Sequence, residues 1–139
     1  MARKLNLDVA ERLDIICKKG DSFNMSITVT DESGAGLNLI GYTISIQVRS
    51  NAGSTINGVY TPGAYILGVG LDRNRNSPLA NAGSSASENG VITITSSATE
   101  MSKIDAGVYV YEIQQAAIVD GDTKTILKGS FTVNNDIAL

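Results

Sequence analysis

The 139-residue chain has no histidine, no tryptophan, one cysteine and two prolines, and aromatic side chains make up only 5% of it. Without histidine there is no Ser-His-Asp or Cys-His arrangement, no imidazole metal ligand and no side chain that ordinarily titrates near neutrality. A single cysteine excludes an internal disulfide and a zinc cluster, so nothing points to a secreted disulfide scaffold. Charged residues are sparse at 18%, with 11 basic against 14 acidic, a net charge of -3 and a pI near 4.8. That balance argues against a general nucleic-acid binder. Apolar runs are only a few residues long, far short of the ~20 that a membrane helix needs. Met1-Ala2-Arg3-Lys4 resembles the start of a signal peptide, but Asn6, Asp8, Glu11 and Arg12 interrupt the apolar stretch that should follow. The expectation is one soluble domain that retains no cofactor or metal and has neither nucleic acid nor membrane as a partner.

Alternation with a period of two is abundant. Phe23, Met25, Ile27 and Val29 fall on one face of a run whose other face is Asn24, Ser26 and Thr28. The same pattern recurs over 43–49, 91–95, 107–114 and 129–133, and Leu13, Ile15 and Cys17 share a face. Such runs are half-buried strands, and their Ser, Thr, Val, Ile and Tyr residues suit a pleated surface. Turn chemistry separates them: Asp31 to Gly36, Asp120-Gly121-Asp122, and the two-residue hairpin signals Asn57-Gly58 and Asn89-Gly90. One helical turn fits Ser97 to Met101, with Ser97 as its cap. The predicted fold class is all-β, an antiparallel β-sandwich. Its candidate core includes Phe23, Met25, Ile27, Ile44, Ile46, Val48, Ile92, Ile94, Val108, Val110, Phe131 and Val133. Tyr109 and Tyr111 oppose Val108 and Val110, so one of these pairs must face outward unless that strand is buried on both sides.

Residues 51–90 hold seven of the fourteen glycines, both prolines and only four charged residues. The stretch predicts a long Gly/Ser/Asn-rich insertion loop in a single domain over 13–139. It reads either as a loose surface hairpin or as an arm that orders against a neighbouring subunit. Residues 1–12 read as a second, N-terminal arm, because Leu5, Leu7 and Val9 alternate with polar residues and could add a strand to this or another chain. The candidate partner-binding residues are therefore Leu5, Leu7, Val9, Tyr60, Tyr65, Ile66 and Leu67.

No constellation promises catalysis, and no enzyme is expected. Asp31-Glu32 and Asp120-Gly121-Asp122 sit where aspartate bonds its own backbone in turns. Asp72-Arg73-Asn74-Arg75-Asn76 reads as a solvated tip, and Cys17 as a small buried hydrophobe. Asp105-Ala106-Gly107-Val108-Tyr109 has the Asp-x-Gly-x-Tyr spacing of the tyrosine corner of immunoglobulin-like sandwiches, with Tyr109 as the corner residue. Tyr111 stands where antibody domains carry a cysteine.

Several segments in order resemble a group of small tailed-bacteriophage virion proteins that includes the N-terminal domain of phage baseplate upper proteins. They are Lys19-Gly20-Asp21-Ser22-Phe23, Leu37-Asn38-Leu39-Ile40-Gly41-Tyr42-Thr43, Gln47-Val48-Arg49, the stretch from Ala106 to Ile113, and that from Ile126 to Val133. The resemblance implies a β-sandwich docked on a larger viral assembly, with no catalytic residues. The chain ends at Leu139, where a baseplate upper protein would continue. It has no coiled-coil heptads and no appended receptor module, so an auxiliary capsid or head-decoration role is expected ahead of a tail or baseplate adaptor. A receptor- or carbohydrate-binding module is the remaining alternative. The expected partners are other virion proteins, the major capsid protein first and a tail or baseplate protein second, with a homo-oligomer within the particle as a further option. The expected location is the virion, after synthesis in the host bacterial cytoplasm.

Overall fold

The computed structural model describes residues 4–6, 11–31, 33–71, 76–117 and 123–135. In chain order the strands begin with β1 (Lys4–Asn6), β2 (Glu11–Arg12), β3 (Ile15–Lys18), β4 (Phe23–Thr30) and β5 (Tyr42–Arg49). The middle of the chain forms β6 (Ser54–Ile56), β7 (Val59–Thr61), β8 (Tyr65–Gly68), β9 (Ala80–Asn81) and β10 (Gly83–Ala86). Then come β11 (Val91–Ser96), the helical turn α1 (Ala98–Met101), β12 (Gly107–Ala117) and β13 (Thr123–Asn134). The protein is all-β, as its alternating pattern predicts.

Two main sheets result. A four-stranded sheet has the order β1-β4-β11-β10; a seven-stranded sheet has the order β2-β13-β12-β5-β8-β9, with β3 also paired to β13. Their central pairs are antiparallel, but β1/β4, β2/β13, β3/β13 and β8/β9 are parallel. The expected purely antiparallel arrangement is thus corrected at the margins. There the chain returns to a sheet by a crossing segment, not by a hairpin, and a hairpin is what imposes antiparallel pairing.

Side chains from both sheets enter one hydrophobic cluster. Phe23 of β4 meets Phe131 of β13 edge-on, with ring centroids 5.4 Å apart, and Tyr111 of β12 meets the same ring at 6.4 Å. Ten of the twelve expected core residues are buried. Val108 and Val110 are not: they are 70% and 36% exposed, while Tyr111 is 2% exposed. The tyrosines win the inner face because each buries a large ring and still satisfies its hydroxyl. The Tyr111 hydroxyl donates to the Leu13 carbonyl and that of Tyr109 to the Asp105 carbonyl, each at 2.5 Å.

The expected loop over 51–90 is corrected as well. It carries five strands, and Tyr65, Leu67 and Ala80 belong to the core. The register of β8 against β5 skips Ile66, a bulge that lets the strand join the sheet. A second bulge skips Ile126 where β13 pairs β12, so the adjacent Ile126 and Leu127 are both buried. Asn57-Gly58 closes the two-residue hairpin β6/β7, with φ of 52° and 78°. Asn89-Gly90 instead ends a longer turn, in which the Ser87 hydroxyl accepts from the Asn89 and Val91 N–H groups. α1 forms where expected, and the Ser97 hydroxyl accepts from the Glu100 N–H.

Candidate ligand-binding groove

Residues that alternate into the core on β5, β12 and β13 leave the intervening residues on the outer face of the seven-stranded sheet. Cross-strand register aligns them in rows. One row is Arg12, Lys128, Glu112 and Gln47 across β2, β13, β12 and β5. The next is Ser130, Val110 and Arg49 across β13, β12 and β5. Adjacent strands are about 4.8 Å apart, so the four-residue row spans about 14 Å. Asn51, Ala52, Pro62 and Tyr60 of β7 bound the same space on one side. Together they enclose an open groove of about 1020 Å³.

Several lining residues are held in place. Arg49 donates to the Gly63 carbonyl at 3.0 Å and to Gln47 Oε1 at 3.1 Å, and its guanidinium lies 4.9 Å from the Tyr65 ring centroid. Tyr65 is itself buried over Gly68, where an added Cβ would meet the Tyr65 hydroxyl. The Tyr60 hydroxyl donates to the Ala52 carbonyl at 2.8 Å, which fixes the hairpin against its own base. Gln114 Nε2 donates to Glu112 Oε2 at 3.4 Å. At the rim, Asp14 Oδ1 accepts from the Ser130 N–H at 3.0 Å and lies 3.5 Å from Arg12. The Ser130 hydrogen bonds chiefly, and the Arg12 charge in addition, hold the Asp14 carboxyl below its ordinary pKa.

Other titratable candidates serve the fold. Asp31 Oδ1 accepts from the Ser33 hydroxyl and from the Ser33 and Ala35 N–H groups, and these bonds lower its pKa. The Glu100 pKa is lowered by Lys103 and by the Asn81 N–H, the second of which ties α1 to β9. Cys17 is half-buried, and burial, with Asp21 adding to it, pushes its thiol up to about 11. Among the described residues no three cysteine or carboxylate side chains converge to hold a metal ion. No helix there is long and apolar enough to cross a membrane.

The expected partner-binding residues scatter. Tyr60 lines the groove and is 58% exposed. Tyr65 and Leu67 are corrected to core positions at 7% and 0% exposure, because β8 joins the sheet and packs its side chains inward. Ile66 is half-buried against the core. Leu5 lies in β1, opposite Val29 of the chain's own β4. Leu7, Val9, the Asp120-Gly121-Asp122 turn and residues 72–75 lie outside the described residues. Sequence reasoning missed Gln47, Arg49, Glu112 and Lys128 as groove residues, having placed them in alternating strands and in the segments that carry the resemblance. The available signal was their type: long, forked side chains where β4 and β11 carry serine and threonine.

No family model and no curated protein matches the sequence. Among solved structures the chain is similar to a family 123 glycoside hydrolase from Clostridium perfringens, described for glycolipid glycan hydrolysis. The identity is 14% and the TM-score 0.35, with 91% of this chain and 23% of that chain covered. The expected role as a bacteriophage virion protein on head, tail or baseplate is corrected to this extent: none of these comparisons gives it support. A likeness of this size assigns no activity to the chain.

Proposed function

We propose that the chain is a non-catalytic module that binds a glycan along the outer face of its seven-stranded sheet. The observation that carries this reading is the make-up of the groove, where exposed Tyr60 borders a floor of amide, guanidinium, ammonium and carboxylate groups. A sugar ring presents an apolar C–H face and a rim of hydroxyls. A tyrosine ring covers the first, and forked polar side chains offer paired donors and acceptors to the second. Glu112 is the sole carboxylate lining the groove among the described residues. Glycoside cleavage commonly uses two, which supports binding without hydrolysis.

The strand orders support an immunoglobulin-like sandwich of variable type as the carrier. In order, β1-β4-β11-β10 resembles A-B-E-D and β13-β12-β5-β8-β9 resembles G-F-C-C′-C″, while the parallel β1/β4 and β8/β9 pairs depart from that antiparallel pattern. Binding to an oligosaccharide panel by titration calorimetry tests the function. Tyr60→Ala is expected to weaken binding about tenfold, with Tyr60→Phe retaining most of it, since the ring supplies the stacking. A wild-type protein that binds no member of the panel, or one indifferent to Tyr60→Ala, contradicts the proposal.

A further inference from the structure

We infer that the groove selects a glycan of N-acetylated amino sugars, in which an acetamido group replaces a ring hydroxyl, over one with hydroxyls alone; this rests on the glycan reading and narrows it. Each amide side chain in the groove has one end committed. Gln47 Oε1 accepts from Arg49 at 3.1 Å, and a guanidinium has only donors, so the oxygen of this amide must face it. Nε2 is then the group that Gln47 offers a ligand. Gln114 is turned the other way: its Nε2 donates to Glu112 Oε2 at 3.4 Å, which leaves its Oε1 on offer. The groove therefore donates from Gln47 on β5 and accepts from Glu112 and Gln114 on β12.

A trans acetamide points its carbonyl and its N–H to opposite sides. It fits between a donor and an acceptor on neighbouring strands. Gln47 and Glu112 are direct cross-strand partners, with Cα atoms about 5 Å apart. The ligand's carbonyl oxygen accepts from Gln47 Nε2, and its N–H donates to Glu112. Lys128 on β13 is the other neighbour of Glu112, and a carboxylate has lone pairs for both a cation and a ligand. The third part of an acetamide is its methyl group, and the groove has an apolar place for it. Val110 is the next outward residue of β12, about 7 Å along the strand from Glu112. It lines the groove and is 36% exposed. A sugar hydroxyl could serve either polar group, but it gives Val110 nothing to bury. The Gly63 carbonyl and the Tyr65 ring hold Arg49, so the Gln47 amide is oriented before any ligand arrives.

The test titrates chitotetraose, whose sugars carry acetamido groups, and cellotetraose, which has hydroxyls in their place, into the intact protein by calorimetry. Chitotetraose is expected to bind at least about tenfold more tightly, from added hydrogen bonds and a buried methyl group. Gln47→Glu keeps an oxygen for Arg49 but removes the donor, and Val110→Thr exchanges a methyl for a hydroxyl at nearly constant shape. Each should remove much of the preference. Ser26→Gln, on the outer face of the other sheet, should not, and far-ultraviolet circular dichroism checks that all three variants fold. A preference that survives both groove variants overturns the inference. Equal binding of the two tetrasaccharides overturns the acetamido selection and leaves the glycan reading standing. An N-acetylated tetraalanine peptide that binds as tightly as chitotetraose overturns the inference in favour of a general amide site. Failure of both tetrasaccharides overturns the selection, and failure of the whole oligosaccharide panel overturns the glycan reading with it.

Discussion

The two main sheets share one core but differ on their outer faces. On the four-stranded sheet the outward positions of β4, β11 and β10 are Asn24, Ser26, Thr28, Val91, Thr93, Thr95, Gly83 and Ser85. These are short and uncharged. On the seven-stranded sheet the equivalent positions carry Arg12, Gln47, Arg49, Glu112 and Lys128, and the β6/β7 hairpin adds a side wall. Both faces satisfy the same requirement for β-structure, a polar side opposite an apolar one. Short hydroxyl side chains meet that requirement with little conformational entropy to lose. Long and charged ones lose more when ordered, and their concentration on one face is the contrast on which the proposed binding role rests.

The comparison assumes that the inner faces are equivalent, and the largest expected effect tests that assumption. Phe131 contacts aromatic rings of both sheets, so Phe131→Ala should cost about 3–5 kcal/mol in urea unfolding. A loss well below that would mean that the sheets do not share a core. Tyr111→Phe removes the bond to the Leu13 carbonyl and should cost about 1–3 kcal/mol, read from the same midpoint. Gln115 is the exception on the inner side: it is 7% exposed, and among the described residues its Oε1 has no hydrogen-bond partner. Gln115→Leu should therefore stabilise the protein by about 1 kcal/mol, and destabilisation would show that the amide is satisfied in solution.

The smallest effect concerns the rim. The Asp14 carboxyl is held below the ordinary aspartate value of 3.8, so its contribution to stability is present above that value. It is lost as pH falls through the folded pKa, where the carboxylate gains a proton. Asp14→Asn should flatten the stability profile slightly below pH 3.8, with little change near neutrality. An unchanged acid profile would mean that the Ser130 N–H bond does not persist in solution.

How far the sequence revealed this comparison depended on the strand. Phe23 to Val29 and Ile44 to Val48 put apolar residues at every second position, and their inner faces follow directly. β12 has large residues on both faces, and apolarity alone cannot choose between valine and tyrosine. The hydroxyl partners Asp105 and Leu13 decide it, and Leu13 lies 98 residues away in sequence. The middle segment misled because its glycines read as flexibility, whereas Gly68 makes room for the Tyr65 ring. The groove was illegible for a related reason. Arg12, Arg49, Glu112 and Lys128 come from separate segments that strand register brings together, and the β6/β7 hairpin adds Tyr60 beside them.

The central claim is that the outer face of the seven-stranded sheet, and not that of the four-stranded one, receives the ligand. Amide chemical-shift mapping by nuclear magnetic resonance, with the tightest-binding member of the oligosaccharide panel added, tests it most directly. The account predicts shifts concentrated at Gln47, Arg49, Tyr60, Glu112 and Lys128, with Ser26, Thr28, Thr93 and Thr95 unmoved. Shifts centred on β4 and β11, or none on β5, β12 and β13, would contradict it.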